Sequence, residues 1–265
     1  MNSIIETKDL KLWYGDHQVL KGITMDIPEH QITALIGPSG CGKSTFLKTL
    51  NRMNDLVENV RITGEVKYDG KDIFSSNANV NELRKEIGMV FQDCKAALCP
   101  VRTIGAQIHE AVSEHEKISK KEVRERAGEI MKKIGLDDSD RVLDSYPFEL
   151  SGGMNQRVGI CTAMILHPNL LLADEPTSAL DVTVQKQVAE ELLFMRKTYN
   201  TAMILVTHNI GVVRMMADRI LVLQNGQARE YGETEAVLDH PKDPYTKKLM
   251  SSVLHLKRAE NQEVR

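Results

Sequence analysis

The sequence predicts an α/β domain that combines an antiparallel β subdomain with an inserted helical subdomain. Three observations support this fold class. An apolar, β-branched run at residues 31–36 (QITALI) leads into a glycine-rich loop at residues 37–45 (GPSGCGKST), and helical spacing of apolar residues follows over residues 45–56. Further short apolar runs end in polar side chains, as parallel strands do at the edge where ligands collect. Residues 95–165 have helical character and no strand pattern.

Composition indicates one large domain, or one domain with an inserted lobe. The 265 residues are 42% hydrophobic and 27% charged, and the net charge is −3. Because both signs of charge are interspersed, no basic face is available for nucleic acid or anionic lipid. The N-terminus lacks the features of a signal peptide, and no apolar run approaches the length of a membrane span. We therefore expect a protein that stays in the cytosol.

The four cysteines are expected to be free thiols. They stand at positions 41, 94, 99 and 161 and form no C-x-x-C pair. A metal site built from Cys94, Cys99 and His109 is the alternative, but this spacing matches no known zinc finger.

The glycine-rich loop fits the phosphate-binding pattern G-x-x-x-x-G-K-[ST]. Gly37, Gly40 and Gly42 allow backbone N–H groups to turn toward phosphate oxygens, and the helix N-terminus adds partial positive charge. Lys43 is expected to reach the β and γ phosphates, and the Ser44 hydroxyl to hold Mg²⁺. The alternative is a glycine-rich turn before an ordinary helix.

The N-terminal third reads as antiparallel strands. Short apolar runs alternate with turn signals over residues 4–30, and Asp69-Gly70 marks a hairpin inside residues 60–74. Tyr14 follows Trp13 just before a glycine. An aromatic ring here is suited to stacking on an adenine or to packing in the core, and composition alone leaves both open.

Polar residues follow three of the predicted buried strands. Gln92 and Asp93 follow the run IGMVF at residues 87–91, and His208 follows the run at residues 201–206. A polar group at the carboxyl end of a strand points to a ligand contact, although the start of a loop is the alternative.

Adjacent carboxylates at Asp174 and Glu175 end the third strand, in the segment NLLLADEPT at residues 169–177. Two neighbouring acids are costly unless a cation is present. Beside a phosphate loop, one acid can sit in the Mg²⁺ shell and the other can face an attacking water.

The predicted helical region contains a capping box at Ser119 and Glu122, and its apolar stripe ends at Gly135. The stripe consists of Val123, Ala127, Ile130, Met131 and Ile134. Further on, Ser151 and two glycines open an apolar helix over residues 150–166. This is either a second anion-binding helix N-terminus, without a lysine, or an N-cap with a flexible entry.

Together these motifs resemble the nucleotide-binding subunit of an ATP-binding cassette (ABC) transporter, a P-loop NTPase, over essentially the whole chain. The resemblance implies one ABC ATPase domain at residues 1–265, with the helical subdomain at about 95–165 and a short tail at about 240–265. The matching motifs are Walker A at 37–45, the Q-loop glutamine Gln92, the signature LSGGM at 150–154, Walker B at 170–175, the D-loop SALD at 178–181, and the switch histidine His208.

ATP and Mg²⁺ are the ligands that the resemblance implies. The implied ATP-binding residues are Tyr14, at the adenine-stacking position, with Gly37, Pro38, Ser39, Gly40, Cys41, Gly42, Lys43, Ser44, Thr45, Ser151, Gly152 and Gly153. The implied Mg²⁺ site consists of Ser44, Gln92 and Asp174. The implied catalytic residues are Glu175, which would polarise water, His208, which would contact the γ-phosphate, and Gln92.

The resemblance also implies partners and a location. Residues 151–153 would close over ATP held by a second subunit, so that two copies, or this chain and a close relative, enclose two ATP molecules. Separate membrane permease subunits and, indirectly, a substrate-binding protein would complete an importer at the cytoplasmic face of the membrane, without nucleic acid.

The chain resembles two different branches of ABC importers. Met154 and the stretches RTIGAQI, TSALDVTVQ and DHPKDPYTKKLM are similar to the dipeptide, oligopeptide and nickel importers, whereas residues 37–90 are more similar to the phosphate importers. We therefore expect peptide or nickel cargo, with phosphate as the alternative cargo. The alternative to a transporter subunit is a soluble ABC ATPase that has no role in transport. Asn209 is a further departure, because an acid is usual after the histidine.

Overall fold

The computed structural model describes residues 2–178 and 180–260, with side chains described except at residues 182 and 253–260. Ala179 of the D-loop-like segment and residues 261–265 of the predicted tail lie outside the described residues. The strands are β1 (Ser3–Tyr14), β2 (His17–Pro28), β3 (Ile32–Ile36), β4 (Val60–Tyr68), β5 (Lys71–Asp72), β6 (Ile87–Val90), β7 (Leu170–Asp174), β8 (Ala202–Val206), β9 (Arg219–Gln224) and β10 (Gln227–Glu233).

Eleven α-helices lie within the described residues. They are α1 (Lys43–Leu50), α2 (Val80–Glu86), α3 (Cys94–Ala97), α4 (Ile104–Ser113), α5 (Lys120–Lys133), α6 (Ser139–Asp144), α7 (Gly152–Met164), α8 (Val182–Tyr199), α9 (Ile210–Met216), α10 (Thr234–Asp239) and α11 (Pro244–Glu260). None of these described helices combines the length and the apolar character that crossing a bilayer requires.

The smaller sheet is antiparallel, with the strand order β2-β1-β4-β5. The strands predicted over residues 4–30 are confirmed as β1 and β2. The predicted hairpin is also confirmed, since Asp69 (φ 48°) and Gly70 (φ 71°) join β4 to β5. Two successive positive φ angles are typical of a turn whose twist matches paired strands.

The larger sheet has six strands in the order β10-β9-β3-β8-β7-β6. All neighbours are parallel except β10, which pairs antiparallel with β9 through a turn at Asn225 and Gly226. Every residue of β3, β7 and β8 is buried, which explains their continuously apolar sequences. Because these strands run in the same direction, their carboxyl ends meet at one edge.

The chain between β6 and β7 is helical, and no strand interrupts α3 to α7 in this fully described stretch. The apolar stripe predicted for α5 is buried, and Ser119 and Glu122 form the predicted capping box. This region shares a core with one face of the larger sheet through Leu171 and Ala173, whereas Leu170 and Leu172 face the core between the two sheets. Because successive side chains of β7 point to opposite faces of the sheet, this strand contributes to both cores.

The helix after the glycine-rich loop is shorter than its apolar spacing indicates. Helical spacing predicts a helix through residue 56, which is correct to Leu50 and wrong beyond it. The Asn51 side chain accepts a hydrogen bond from the Met53 N–H (3.2 Å), and Arg52 adopts a left-handed conformation (φ 59°). Such local side-chain bonds compete with helical ones, so the chain turns into a short 3-10 helix at Met53–Leu56.

Candidate nucleotide site

The glycine-rich loop leaves β3 at the carboxyl edge of the larger sheet and enters α1 at its amino end. Gly40 (φ 75°) and Gly42 (φ 103°) adopt conformations that glycine favours, and Gly42 is the N-cap of α1. A Cβ atom at Gly37 would lie 2.2 Å from the carbonyl oxygen of Leu223 in β9. Pro38 and Ser39 are exposed, so a ligand has access to this part of the backbone.

The ammonium group of Lys43 lies within this loop. The residue is buried, and its Nζ donates hydrogen bonds to the carbonyl oxygens of Gly37 (2.9 Å) and Pro38 (3.1 Å). A positive charge is therefore held where the loop backbone surrounds it. Thr45 lies in the first turn of α1 and is partly buried.

The Cys41 side chain points into the protein. It is 2% exposed and belongs to the core between the two sheets, and burial raises the pKa of its thiol. Cys41 is thus suited to a role in phosphate binding only through its backbone. Burial also raises the pKa of Cys94 to about 11 and that of Cys161 to about 12. All four cysteines are free, as predicted, and no cluster of metal-binding side chains occurs in the described part of the chain.

Ser44 and Asp174 meet although 130 residues separate them in sequence. The Ser44 hydroxyl donates a hydrogen bond to Asp174 Oδ1 at 2.9 Å. Burial raises the pKa of the Asp174 carboxyl, and the hydrogen bond from Ser44 opposes this shift. A hydroxyl and a carboxylate are oxygen donors of the kind that Mg²⁺ prefers.

Three predicted catalytic side chains converge at the same edge. Gln92 Nε2 donates a hydrogen bond to Glu175 Oε2 at 3.2 Å, and His208 Nδ1 lies 3.5 Å from the same oxygen. Glu175 adopts a positive φ (46°), and its N–H donates to the carbonyl oxygen of Val206 at 2.9 Å. The ends of β6, β7 and β8 therefore deliver one side chain each to a common point.

Ser178 is a contact that the sequence did not single out. Its Oγ accepts a hydrogen bond from Gln92 Nε2 (3.4 Å) and donates one to the Glu175 carbonyl oxygen (3.1 Å). The available signal was its position as the first residue of the SALD segment, three residues after Glu175.

The segment formed by Ser151, Gly152 and Gly153 lies at the amino end of α7. Ser151 and Gly152 are exposed, and Ser151 Oγ accepts a hydrogen bond from the Met154 N–H at 3.2 Å. Within the described residues, no hydrogen bond joins this segment to the glycine-rich loop of the same chain. Asn209 is the N-cap of α9, accepting from Gly211 and Val212 N–H groups, so the departure at this position supports a helix start.

Tyr14 ends β1 and is partly buried, and its hydroxyl donates a hydrogen bond to Asn54 Oδ1 at 2.8 Å. Adenine stacking by this ring stays a prediction.

A large cleft of 1020 Å³ lies elsewhere, between the smaller sheet and α2. Asn169 and Asn200, which border it, precede β7 and β8. The cleft is therefore at the amino edge of the larger sheet, opposite the converging side chains.

The loop, the buried lysine and the serine–aspartate pair at the carboxyl edge define a nucleoside triphosphate-binding protein of the P-loop class. The family model described as "ABC transporter" matches residues 20–178. The chain belongs to the ABC transporter family and is an ATP-binding ATPase subunit. The predicted family, fold class and ATPase activity are confirmed.

Curated relatives divide between two kinds of transporter. The chain is 40% identical over 241 residues to an oligopeptide transport ATP-binding protein, AmiE, of Streptococcus pneumoniae, covering 89% of this chain and 67% of the relative. It is 41% identical over 252 residues to a phosphate import ATP-binding protein, PstB, of Borreliella afzelii, covering 94% of each. The solved structure of cbiO1 from Clostridium perfringens, part of the ABC transporter complex cbiONQ, matches with a TM-score of 0.78 and 27% identity over 100% of both chains.

Proposed function

We propose that this chain hydrolyses ATP to energise an importer, with ATP held between the glycine-rich loop of one subunit and residues 151–153 of a second. The observation that carries the proposal is the convergence of Gln92 and His208 on Glu175, next to the hydrogen-bonded pair of Ser44 and Asp174.

The loop and the metal-binding side chains would hold the triphosphate. Loop N–H groups and Lys43 would bind the β and γ phosphates, and Ser44, Asp174 and Gln92 would hold Mg²⁺. The ion would neutralise charge that develops on the transferred phosphoryl group. The oxygen donors of Ser44 and Asp174 fit this ion, and their 2.9 Å separation supports a shared binding point.

Glu175 would polarise the water that attacks the γ-phosphate in line. Gln92 would orient the Glu175 carboxylate through their hydrogen bond, and His208, whose side chain is 67% exposed, would contact the γ-phosphate. Positioning and charge stabilisation supply most of the acceleration in such transfers.

Replacement of the Glu175 carboxylate tests this role. Glu175→Gln is expected to lower the ATPase rate by a factor on the order of 10² to 10⁴, because the amide accepts no proton from water. ATP binding should persist, since the loop is unchanged. Glu82→Gln, at the cleft on the opposite edge, is the control and should leave the rate unaltered. Full ATPase activity in Glu175→Gln would refute the role.

A composite site requires a partner. The exposed Ser151 and Gly152, which have no hydrogen bond to their own described loop, support closure over ATP held by another subunit. This arrangement would draw helical regions together, and permease subunits would convert that motion into transport. We place the assembly at the cytoplasmic face of the membrane, with the substrate-binding protein acting through the permease.

The proposed cargo is a peptide or a nickel complex. It is supported by Met154, by the stretches RTIGAQI, TSALDVTVQ and DHPKDPYTKKLM, and by the relative named for oligopeptide transport. Phosphate is the second candidate, because the alignment with the relative named for phosphate import covers 94% of each chain. The test is to isolate the bound permease and measure ATPase stimulation by binding protein loaded with peptide, nickel or phosphate. Stimulation by phosphate alone would overturn the first choice, and a soluble complex without any membrane protein would overturn transport itself.

A further inference from the structure

The side chain of Asn54 links Tyr14 to the helix that follows the glycine-rich loop. Asn54 lies in the 3-10 helix after α1 and is 1% exposed. Its Nδ2 donates hydrogen bonds to the carbonyl oxygen of Thr45 (2.9 Å) and to Thr49 Oγ1 (2.8 Å), and its Oδ1 accepts the Tyr14 hydroxyl (2.8 Å). A buried amide is therefore satisfied on both of its ends.

The orientation of this amide is fixed by its partners. The Thr45 carbonyl only accepts, and the Thr49 hydroxyl already donates to that same carbonyl at 2.8 Å. Rotating the Asn54 amide by half a turn would place its oxygen against the Thr45 oxygen, which is repulsive. The amide oxygen must face Tyr14, so the tyrosine hydroxyl is the donor of that hydrogen bond.

The Tyr14 ring is thereby held at both ends. Its backbone pairs with Val60 in β4, and the N–H of the next residue, Gly15, donates to the carbonyl oxygen of Asn59 at 2.9 Å. Its hydroxyl is anchored to a residue bonded to Thr45, the residue that ends the loop motif. The position of the ring and the direction of its long axis are thus fixed relative to the loop.

We infer that Asn54 is a positioning residue for nucleotide binding, which holds the Tyr14 ring ready to stack on the base. This inference rests on the proposed adenine-stacking role of Tyr14. A ring fixed before binding loses less conformational freedom when the base arrives, so affinity for the base is increased without any contact between Asn54 and the nucleotide. The triphosphate, bound by the loop, should be insensitive to this contact.

The test compares ATP with inorganic tripolyphosphate, which has no base. Tyr14→Phe removes the hydroxyl and keeps the ring, so the variant should bind ATP about fivefold more weakly, the ratio that ordering one freed side chain on binding accounts for. Its affinity for tripolyphosphate should be unchanged, and KM for ATP should rise at constant kcat. Tyr68→Phe, which removes another half-buried hydroxyl, bonded to Glu86 at 3.4 Å, is the matched control and should bind both ligands normally.

Asn54→Ala should also bind ATP more weakly while its affinity for tripolyphosphate stays unchanged. If Asn54→Ala does not fold, the result for Tyr14→Phe decides the test. Equal weakening of ATP and tripolyphosphate in Tyr14→Phe, or wild-type affinity for both, would overturn the positioning role. Tyr14→Ala separates the two hypotheses. If Tyr14→Ala loses ATP selectively while Tyr14→Phe does not, only the positioning role fails, whereas normal ATP binding by Tyr14→Ala overturns the stacking role and the positioning role together.

Discussion

The adjacent acids Asp174 and Glu175 have different environments despite their shared position at the end of β7. Asp174 is 6% exposed and hydrogen-bonded to Ser44, whereas Glu175 turns toward Gln92 and His208. The positive φ of Glu175 (46°) makes this divergence possible. Such a conformation costs about 1 kcal/mol in a non-glycine residue and is retained where neighbouring bonds enforce it.

Replacing Asp174 should stabilise the protein while abolishing its activity. Burial raises the pKa of this carboxyl, so the folded protein binds the proton more tightly than the unfolded chain does. Folding stability from this group is complete below the ordinary aspartate pKa, about 3.9, and is lost as the pH rises through the folded-state pKa. The side chain introduced by Asp174→Asn is neutral at every pH, so this loss of stability does not occur. Its amide oxygen can still accept the hydrogen bond from Ser44.

We therefore expect Asp174→Asn to have a higher Tm than the wild type at pH 7, with the difference disappearing toward pH values below about 4. Mg²⁺-dependent ATPase activity should be lost. Thermal unfolding of both proteins across this pH range provides the measurement, and a lower Tm for the variant at pH 7 would contradict the argument.

At the residue scale, the motifs in the sequence named side chains that the structure brings together. Ser44, Asp174, Glu175 and His208 are recognisable because a phosphate loop requires a metal ligand and a base at neighbouring strand ends. Asn54 has no such signature, since its contact with Tyr14 depends on the 3-10 turn that brings the two side chains together.

The turn between β9 and β10 supports the glycine-rich loop from behind. The Gly226 N–H donates to the carbonyl oxygen of Cys41 at 3.0 Å, and the Gly226 carbonyl accepts from the Lys21 N–H at 2.8 Å. This element therefore connects the loop with both sheets. A Cβ at Gly226 would lie 1.9 Å from the Val19 carbonyl oxygen.

Two glycines in similar hairpin turns allow the cost of a positive φ angle to be measured separately from the cost of a steric clash. Gly70 (φ 71°) and Gly226 (φ 78°) have similar conformations, but a Cβ at Gly70 meets nothing within 4 Å. Gly70→Ala should lower the free energy of unfolding by about 1 kcal/mol, from the positive φ alone. Gly226→Ala should cost at least about 3 kcal/mol and weaken ATP binding, since the backbone must also shift. Equal losses in denaturant unfolding would contradict the packing argument.

An ion pair joins the helix that begins within the signature segment to the helix that follows Walker B. Arg157 in α7 binds Glu191 in α8 through both carboxylate oxygens, with a shortest N–O distance of 2.6 Å. The two side chains are 16% and 15% exposed. The pair is thus largely withdrawn from water, where its loss leaves a charge without a partner.

Arg157→Met should lower the free energy of unfolding by about 1.5 to 3 kcal/mol, because a charged, bidentate contact is removed from a largely buried position. Arg214→Met provides the control. Its pair with Asp239 also has a shortest distance of 2.6 Å, but the side chains are 54% and 45% exposed. Loss of this surface pair should cost less than about 1 kcal/mol. Similar costs would show that burial does not set the strength of these pairs.

The sequence predicted whether a segment is a helix or a strand more accurately than it predicted the residue at which the segment ends. The period-two and apolar runs predicted the strands, and Ser119 predicted the start of α5. The end of α1 was missed because the side-chain hydrogen bond of Asn51 stops the helix, although the apolar spacing continues to Met53. A local polar contact outweighed a pattern of apolar residues.

At the scale of the molecule, the parallel sheet explains how distant motifs become one site. β6, β7 and β8 lie side by side, so Gln92, Glu175 and His208 meet although more than a hundred residues separate the first from the last. The general rule for parallel sheets predicted this edge from sequence. The strand order and the outward exposure of Ser151 required the structure, because neither is written in local periodicity.

The most direct measurement of the central claim is the molar mass of Glu175→Gln in solution with ATP and Mg²⁺. Slow hydrolysis should trap ATP between two copies, so sedimentation should give twice the chain mass of 29.8 kDa with ATP and a single chain mass without it. Adding Ser151→Arg, which places a bulky side chain at the exposed start of α7, should abolish the dimer. A mass of 29.8 kDa with ATP bound would contradict a site shared between two copies of this chain.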